Sequence, residues 1–318
     1  MALKDLVFTD IYLDVGGAWI SGVPGTSDPV AASKEDMPEI LALRAECEAY
    51  TKANPEREDF PLRHGSTSYR VSTMKTINEV IYVMRRLSET ITPIDKLGIP
   101  PVFVDMMMKP NMTGLFIVSG TFGQGKTTTA SSFVAARISK FGGVAVTVEE
   151  PPEAPLHGKH GEGVCYQTWV QQGGFGHACR QAARWAPSII FLGEIRDAET
   201  AIEALRASIN GKLVICTAHA DNCSMAIERV FALACGVEGS SPDDVLSMLA
   251  TGLAAVVHQK LESSESRRQL MLEPLFIAGE DEHAARNLVR QRKFDQLKNF
   301  SNLQKSRMIM AGGRRAGA

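Results

Sequence analysis

The chain has 318 residues, of which 44% are hydrophobic and 22% charged, and its net charge is -2. That length favours two domains over one. The charge balance argues against a globally basic nucleic-acid binder, and no stretch approaches the roughly 20 apolar residues of a membrane span.

The opening MALKDLVFTD carries acids where a secretory signal places a basic run and an apolar core, so a cytoplasmic chain is expected. Residues 6–15 (LVFTDIYLDV), 68–74 (SYRVSTM) and 79–86 (EVIYVMRR) read as strands, with a helical pattern around 36–52. Together they predict a small α+β domain over 1–98. Pro93, Pro100, Pro101 and Pro110 break up 93–112, and a linker is placed at 99–112. Its apolar residues, Val102 to Val104 and Met106 to Met108, predict a short helix packed on a neighbour.

From residue 114 the rhythm changes. Apolar strands at 115–118, 144–148, 188–192 and 213–217 alternate with helical patterns at 127–140 and after Asp197, the latter closed by Asn210-Gly211. Strands alternating with helices predict a parallel sheet covered on both faces. Helices are expected over 224–235, 242–258 and 282–299, and a short strand at 270–277. The second domain is placed at 113–300, and the small, basic tail at 301–318 is expected to fray. The six cysteines form no CxxC pair and read as reduced, packed thiols.

The segment GTFGQGKT, Gly120 to Thr127, fits GxxxxGK[ST] in full and lies between a strand and a helix. Glycines at 120, 123 and 125 permit backbone conformations that aim several N–H groups at one anion, and the helix start adds its positive end. The spacing predicts a triphosphate site formed by Gly120, Thr121, Phe122, Gly123, Gln124, Gly125, Lys126, Thr127 and Thr128. Lys126 is assigned to the β- and γ-phosphates and Thr127 to Mg²⁺.

Two acidic segments and a histidine follow other strands, and in a parallel sheet all these ends share one edge. Glu194 in FLGEIRD is placed to orient an attacking water, Glu149 or Glu150 in TVEEPPE to hold Mg²⁺ or its waters, and His219 to contact the γ-phosphate.

Several segments together resemble the secretion-ATPase superfamily, the group of PilT pilus-retraction, GspE secretion and DotB/TraJ conjugation motors. GTFGQGKT resembles its Walker A, TVEEPPE its acidic Asp box and RQAARWAPSIIFLGEIRD (180–197) its Walker B stretch. GKLVICTAHADNCSMAIERV (211–230) resembles its histidine box and SMLATGLAAVVHQKL (247–261) the helix after it. FTDIYLDVG (8–16) and YRVS (69–72) resemble N-terminal segments. Departures are Ala186-Pro187-Ser188 where Asp-Pro-Asp is usual, Lys212 for the first histidine of the box, Glu150 for an aspartate, and Asn78 for an arginine.

The resemblance implies an α/β, RecA-like P-loop NTPase domain with a parallel-type central sheet, preceded by a smaller α+β, PAS-like domain. It implies ATP and Mg²⁺ as cofactors, with Glu194 catalytic and Thr127 and Glu149 on the metal. It also implies a homo-oligomeric ring, commonly a hexamer, in which N-domain arginines at the matching positions Arg70 and Arg85 contact a neighbour's nucleotide. Arg86 competes with Arg85 for that role. Implied partners are components of an inner-membrane secretion or pilus complex, to which the ring is peripheral. The compact length favours the PilT/DotB/TraJ branch over GspE-like assembly motors, and the lost Asp-Pro-Asp and drifted N-domain favour a DotB/TraJ-like member of it.

Two other readings stay open. A DNA-translocating ATPase would use the same core, but Arg63, Arg70, Lys75, Arg85 and Arg86 are interleaved with acids, and nucleic acid is not indicated as a direct ligand. A non-catalytic assembly protein would use ATP only to hold a ring together.

Overall fold

The computed structural model describes residues 6–26, 28–170, 173–263 and 268–315. The backbone falls into two compact units, Met1–Thr90 with Glu153–Pro155, and Ile91–Pro152 with Leu156–Ala318.

The smaller unit is an antiparallel sheet with one helix on it. Strands β1 (Asp10–Leu13), β2 (Ala18–Ser21), β3 (Val30–Ala31), β4 (Asp59–His64), β5 (Thr67–Lys75) and β6 (Val80–Arg86) run in the order β3-β2-β1-β6-β5-β4. Helix α1 (Met37–Ala53) buries Ile40, Leu43 and Cys47. Tyr50 of that helix stacks on Phe60 of β4 with ring centroids 4.2 Å apart. The sequence reading places β5 and β6 within two residues. It misses β2 and β4, whose alternating patterns are short and broken by polar residues and Pro61.

The larger unit holds an eight-stranded sheet. Its strands are β7 (Gly114–Ser119), β8 (Gly143–Glu149), β9 (Gly158–His160), β10 (Gly163–Trp169), β11 (Ile189–Leu192), β12 (Leu213–Ala218), β13 (Leu253–Ser263) and β14 (Arg268–Phe276). The order is β14-β13-β7-β12-β11-β8-β10-β9. From β13 to β10 every pairing is parallel, while β14 and β9 add antiparallel edges, so the sheet is mixed around a parallel centre.

The helices are α2 (Pro101–Met107), α3 (Lys126–Phe141), α4 (Phe175–Arg184), α5 (Ala198–Ile209), α6 (Cys223–Ala234), α7 (Pro242–Gly252), α8 (Glu282–Arg290) and α9 (Leu297–Arg315). Side chains of one strand point alternately to opposite faces. Leu115 and Ile117 of β7 accordingly enter a core with α4 to α8, and Phe116 and Val118 a second core with α2, α3 and α9. Burial on both faces explains why β7, β11 and β12 are unbroken apolar runs.

Two helices and the tail differ from expectation. The helix predicted over 242–258 ends at Gly252, and the chain continues as β13 along β7. An apolar run such as LAAVV cannot be assigned to helix or strand by period alone, and here the open edge of β7 decides it. The helix predicted over 282–299 is interrupted at Arg292, which takes φ 56°. The tail expected to fray continues α9, with Ser301, Gln304 and Met308 buried. Gln304 both donates to and accepts from the Phe276 backbone at 2.8 Å.

The segment read as a linker is core material. Ile99, Phe103 and Met107 are buried in the second core, and two side chains of α3 hold it. Ser132 Oγ donates to the Thr92 carbonyl at 2.6 Å. Arg137, 5% exposed, donates to the carbonyls of Met107 and Lys109 at 2.8 and 2.9 Å and lies over the Phe133 and Phe141 rings.

Candidate functional site

The parallel strands bring the sequence-predicted groups to one edge. The phosphate-type loop follows β7, Glu149 ends β8 with Glu150 after it, Glu194 follows β11 and His219 follows β12. Each sits at the C-terminal end of its strand, so the four loops open on the same side.

Gly120, Gly123 and Gly125 take φ of 157°, 72° and 75°. Their constraints differ. A Cβ on Gly120 would come 2.5 Å from the Gln259 carbonyl oxygen of β13, whereas one on Gly123 would meet nothing within 4 Å. The first glycine is thus required by the neighbouring strand and the second by backbone conformation alone. Gly125 is the N-cap of α3 in the left-handed region. The N–H groups of Gly123 and Gly125 make no hydrogen bond among the described residues. Open space at Gly123 and unclaimed amides leading into a helix start fit an anionic ligand.

Lys126 is 8% exposed, and its ammonium donates to the Thr121 carbonyl at 2.8 Å. It also lies 3.4 Å from His219 Nδ1. His219 Nε2 is 3.5 Å from Glu194 Oε1. The imidazole therefore stands between an ammonium and a carboxylate. Burial, and then the Lys126 charge, hold its pKa below the ordinary value, while Glu194 opposes them. The neutral ring with its proton on Nε2 suits both neighbours, accepting from Lys126 and donating to Glu194.

Glu149 is 1% exposed and accepts from Gln167 Nε2 at 3.1 Å. Glu150 pairs with Arg196 at 3.3 Å, and Arg196 Nε is 3.9 Å from Glu194 Oε2. Arg196 therefore bridges two of the acids. Thr127 is half-buried, and Thr121, Phe122 and Thr128 are exposed. Among the described residues no group of three or more His, Cys, Asp or Glu could hold a metal ion unaided. An ion beside Thr127 and Glu149 would need further oxygens from a phosphate or from water.

The two arginines expected to reach phosphates lie in the smaller unit. Arg85 Nε donates to Asp10 Oδ1 at 2.8 Å, and Arg70 is 3.6 Å from Glu153. Arg86 donates to the Leu6 carbonyl and lies 3.5 Å from Glu89.

Two departures from the family pattern fall away from the acids and histidine. Ala186 to Ser188 precede β11 and Lys212 precedes β12, at the N-terminal ends of strands whose C-terminal ends carry Glu194 and His219. Glu150 alone among the changes in the larger unit sits on the functional edge. Sequence reasoning missed Arg196, Gln167 and Gln259, whose roles depend on long-range contacts. The one available signal was Gln259, a polar residue inside the apolar run that becomes β13.

Residues 41–310 match the family described as type II/IV secretion system protein. The chain belongs to this family. Within it, the chain is 32% identical over 221 residues to the uncharacterized protein YggR of Escherichia coli K12, covering 67% of this chain and 63% of that one. It is 35% identical over 174 residues to competence protein ComGA of Bacillus subtilis 168, covering 53% and 48%. These matches thus span about half to two thirds of the relatives' own length. A solved structure of the pilus retraction motor PilT with bound ADP superposes with TM-score 0.76 at 26% identity, covering 94% of this chain and 87% of that one. The Legionella pneumophila ATPase DotB superposes with TM-score 0.73 over 93% and 85%, and at 19% identity it supports the fold alone. No described helix is long and apolar enough to cross a membrane.

Proposed function

We propose that this chain is the ATP-hydrolysing subunit of a ring, hexameric on the family's pattern, that powers type IV secretion, conjugative transfer or type IV pilus dynamics. The observation that carries this reading is the Lys126–His219–Glu194 row beside a loop with two unclaimed amides. Membership of the type II/IV secretion family, and the likeness to a named retraction motor, support it.

In this reading the amides of 120–127 and the Lys126 ammonium bind the phosphates. Thr127 and Glu149 would hold Mg²⁺, which would neutralise charge on the phosphate oxygens. Glu194 takes the hydrogen bond, and then the proton, of the attacking water. His219 keeps that carboxylate oriented and senses the γ-phosphate. Arg196 fixes Glu150 and Glu194 against each other. The smaller unit is assigned a PAS-like fold, and Arg70 and Arg85 exchange their carboxylate partners for the phosphates of an adjoining protomer's nucleotide. The ring works at the cytoplasmic side of an inner-membrane complex.

Steady-state phosphate release and nucleotide binding test the assignment. Lys126→Ala abolishes binding, whereas Glu194→Gln binds ATP and loses about 10²- to 10⁴-fold in turnover. Undiminished turnover in the glutamine variant would remove Glu194 from the reaction. Release of no more than one phosphate per wild-type subunit would favour the non-catalytic assembly protein.

A further inference from the structure

Strand β13 closes on the phosphate-type loop through a pair of glutamines. The strand pairs with β7 only as far as His258, opposite Ser119. Beyond that point residues 259–263 pair with β14 alone and overhang the loop. There Gln259 Nε2 donates to the Gln124 carbonyl, and the Leu261 N–H donates to Gln124 Oε1, both at 2.5 Å. Gln259 is 1% exposed, and its Oε1 has no hydrogen-bond partner among the described residues. Its backbone carbonyl is also the group that a Cβ on Gly120 would strike. One residue thus limits both ends of the loop.

The geometry has a direct electrostatic meaning. The only cis peptides among the described residues precede Pro29 and Pro151, so the Gln124–Gly125 peptide is trans. In a trans peptide the carbonyl and the N–H point in opposite directions. Anchoring the Gln124 carbonyl to Gln259 therefore turns the Gly125 N–H away from β13. Gly125 at φ 75° has no Cβ to resist rotation of this peptide. Were the peptide to turn over, a carbonyl oxygen would replace an N–H donor toward a bound anion.

We propose that Gln259 is a positioning residue for a di- or triphosphate ligand, acting by fixing the 124–125 peptide so that the Gly125 N–H is presented to phosphate. This rests on the nucleotide reading above. A residue kept for packing alone would be apolar, since the orphaned Oε1 of a buried amide opposes stability. The residue acts before any ligand arrives, as preorganisation of a donor.

The test compares the full-length wild-type chain with Gln259→Met, which keeps volume, and Gln259→Glu, which keeps shape but cannot donate to a carbonyl. ADP and pyrophosphate affinities are measured by calorimetry, together with the melting temperature of the ligand-free protein. Both ligands are expected to bind about tenfold more weakly in each variant, by the same factor, with the melting temperature within a few degrees of wild type. Gln124→Ala, which retains the backbone carbonyl, is expected to lose less. Unchanged ADP affinity, or a loss for ADP without one for pyrophosphate, would overturn the proposal. So would unfolding of both Gln259 variants, which would assign the residue to stability. A wild-type chain that binds neither ligand would instead defeat the nucleotide reading itself.

Discussion

The two units of this chain arrange charge in contrasting ways. In the larger one, Lys126, Glu149, Glu150, Glu194 and His219 come from four separate strand ends and gather on one edge. In the smaller one, Arg85 meets Asp10 on a neighbouring strand and Lys75, at the end of β5, meets Glu58 just before β4. Strand direction accounts for the difference. Parallel strands put all their C-terminal ends on one side, whereas antiparallel strands alternate, and charges then find partners pairwise. An edge that concentrates unlike groups without fully neutralising them is suited to a ligand, while matched pairs are suited to a surface.

The comparison can be broken most severely at glycine. Gly120→Ala would drive a methyl into the Gln259 carbonyl, and nucleotide affinity is expected to fall by at least about 100-fold. Gly65→Ala in the smaller unit, at φ 58° with nothing nearby, meets only backbone strain and should cost about 1 kcal/mol in a denaturant titration.

An intermediate effect is expected from pH. The folded-state pKa of His219 lies below 6.5 through burial and Lys126, and that of His258 through burial. The unfolded chain binds these protons more readily, so stability is expected to fall as pH drops below about 6.5. Turnover should fall at lower pH, through the depressed folded-state pKa of His219, as the imidazole loses the lone pair that accepts from Lys126. His219→Gln, which cannot titrate, should flatten the turnover part of this profile while turnover remains measurable.

The smallest effect sharpens the contrast. Arg85 and Asp10 form a partly exposed pair, so Arg85→Ala and Asp10→Ala should each change stability by no more than about 1 kcal/mol. If Arg85 serves phosphate in an assembled ring, Arg85→Ala lowers turnover and Asp10→Ala does not. Equal, small effects of both on turnover would leave the arginine a surface charge.

How legible all this was depended on the same division. Strands buried on both faces are contiguous apolar words, and β7, β11 and β12 could be read within a residue or two. The glycine-rich loop and the acids behind the strands could be read because their chemistry is local in sequence. Strands β2, β4 and β10 are half-exposed, and their patterns blend into loops. The Val256-Val257 run became a strand only because β7 lay open beside it. Arg196 has no local signature, and Gln259 only that of a polar residue in an apolar run, because what defines them is a carboxylate or carbonyl brought near by folding.

Arg137 acts as a mechanical fastener. A guanidinium stays charged under all ordinary conditions, and no carboxylate among the described residues offsets this one. It is retained by two carbonyls at the end of α2 and by two aromatic rings of its own helix. Together with Ser132 on Thr92, it rivets α3 to the stretch through which the chain arrives from residue 90. The rod that begins at Lys126 therefore cannot slide or turn alone. Any stroke felt at its first turn must drag that incoming stretch along or rupture three hydrogen bonds, one end of which would be a stranded cation.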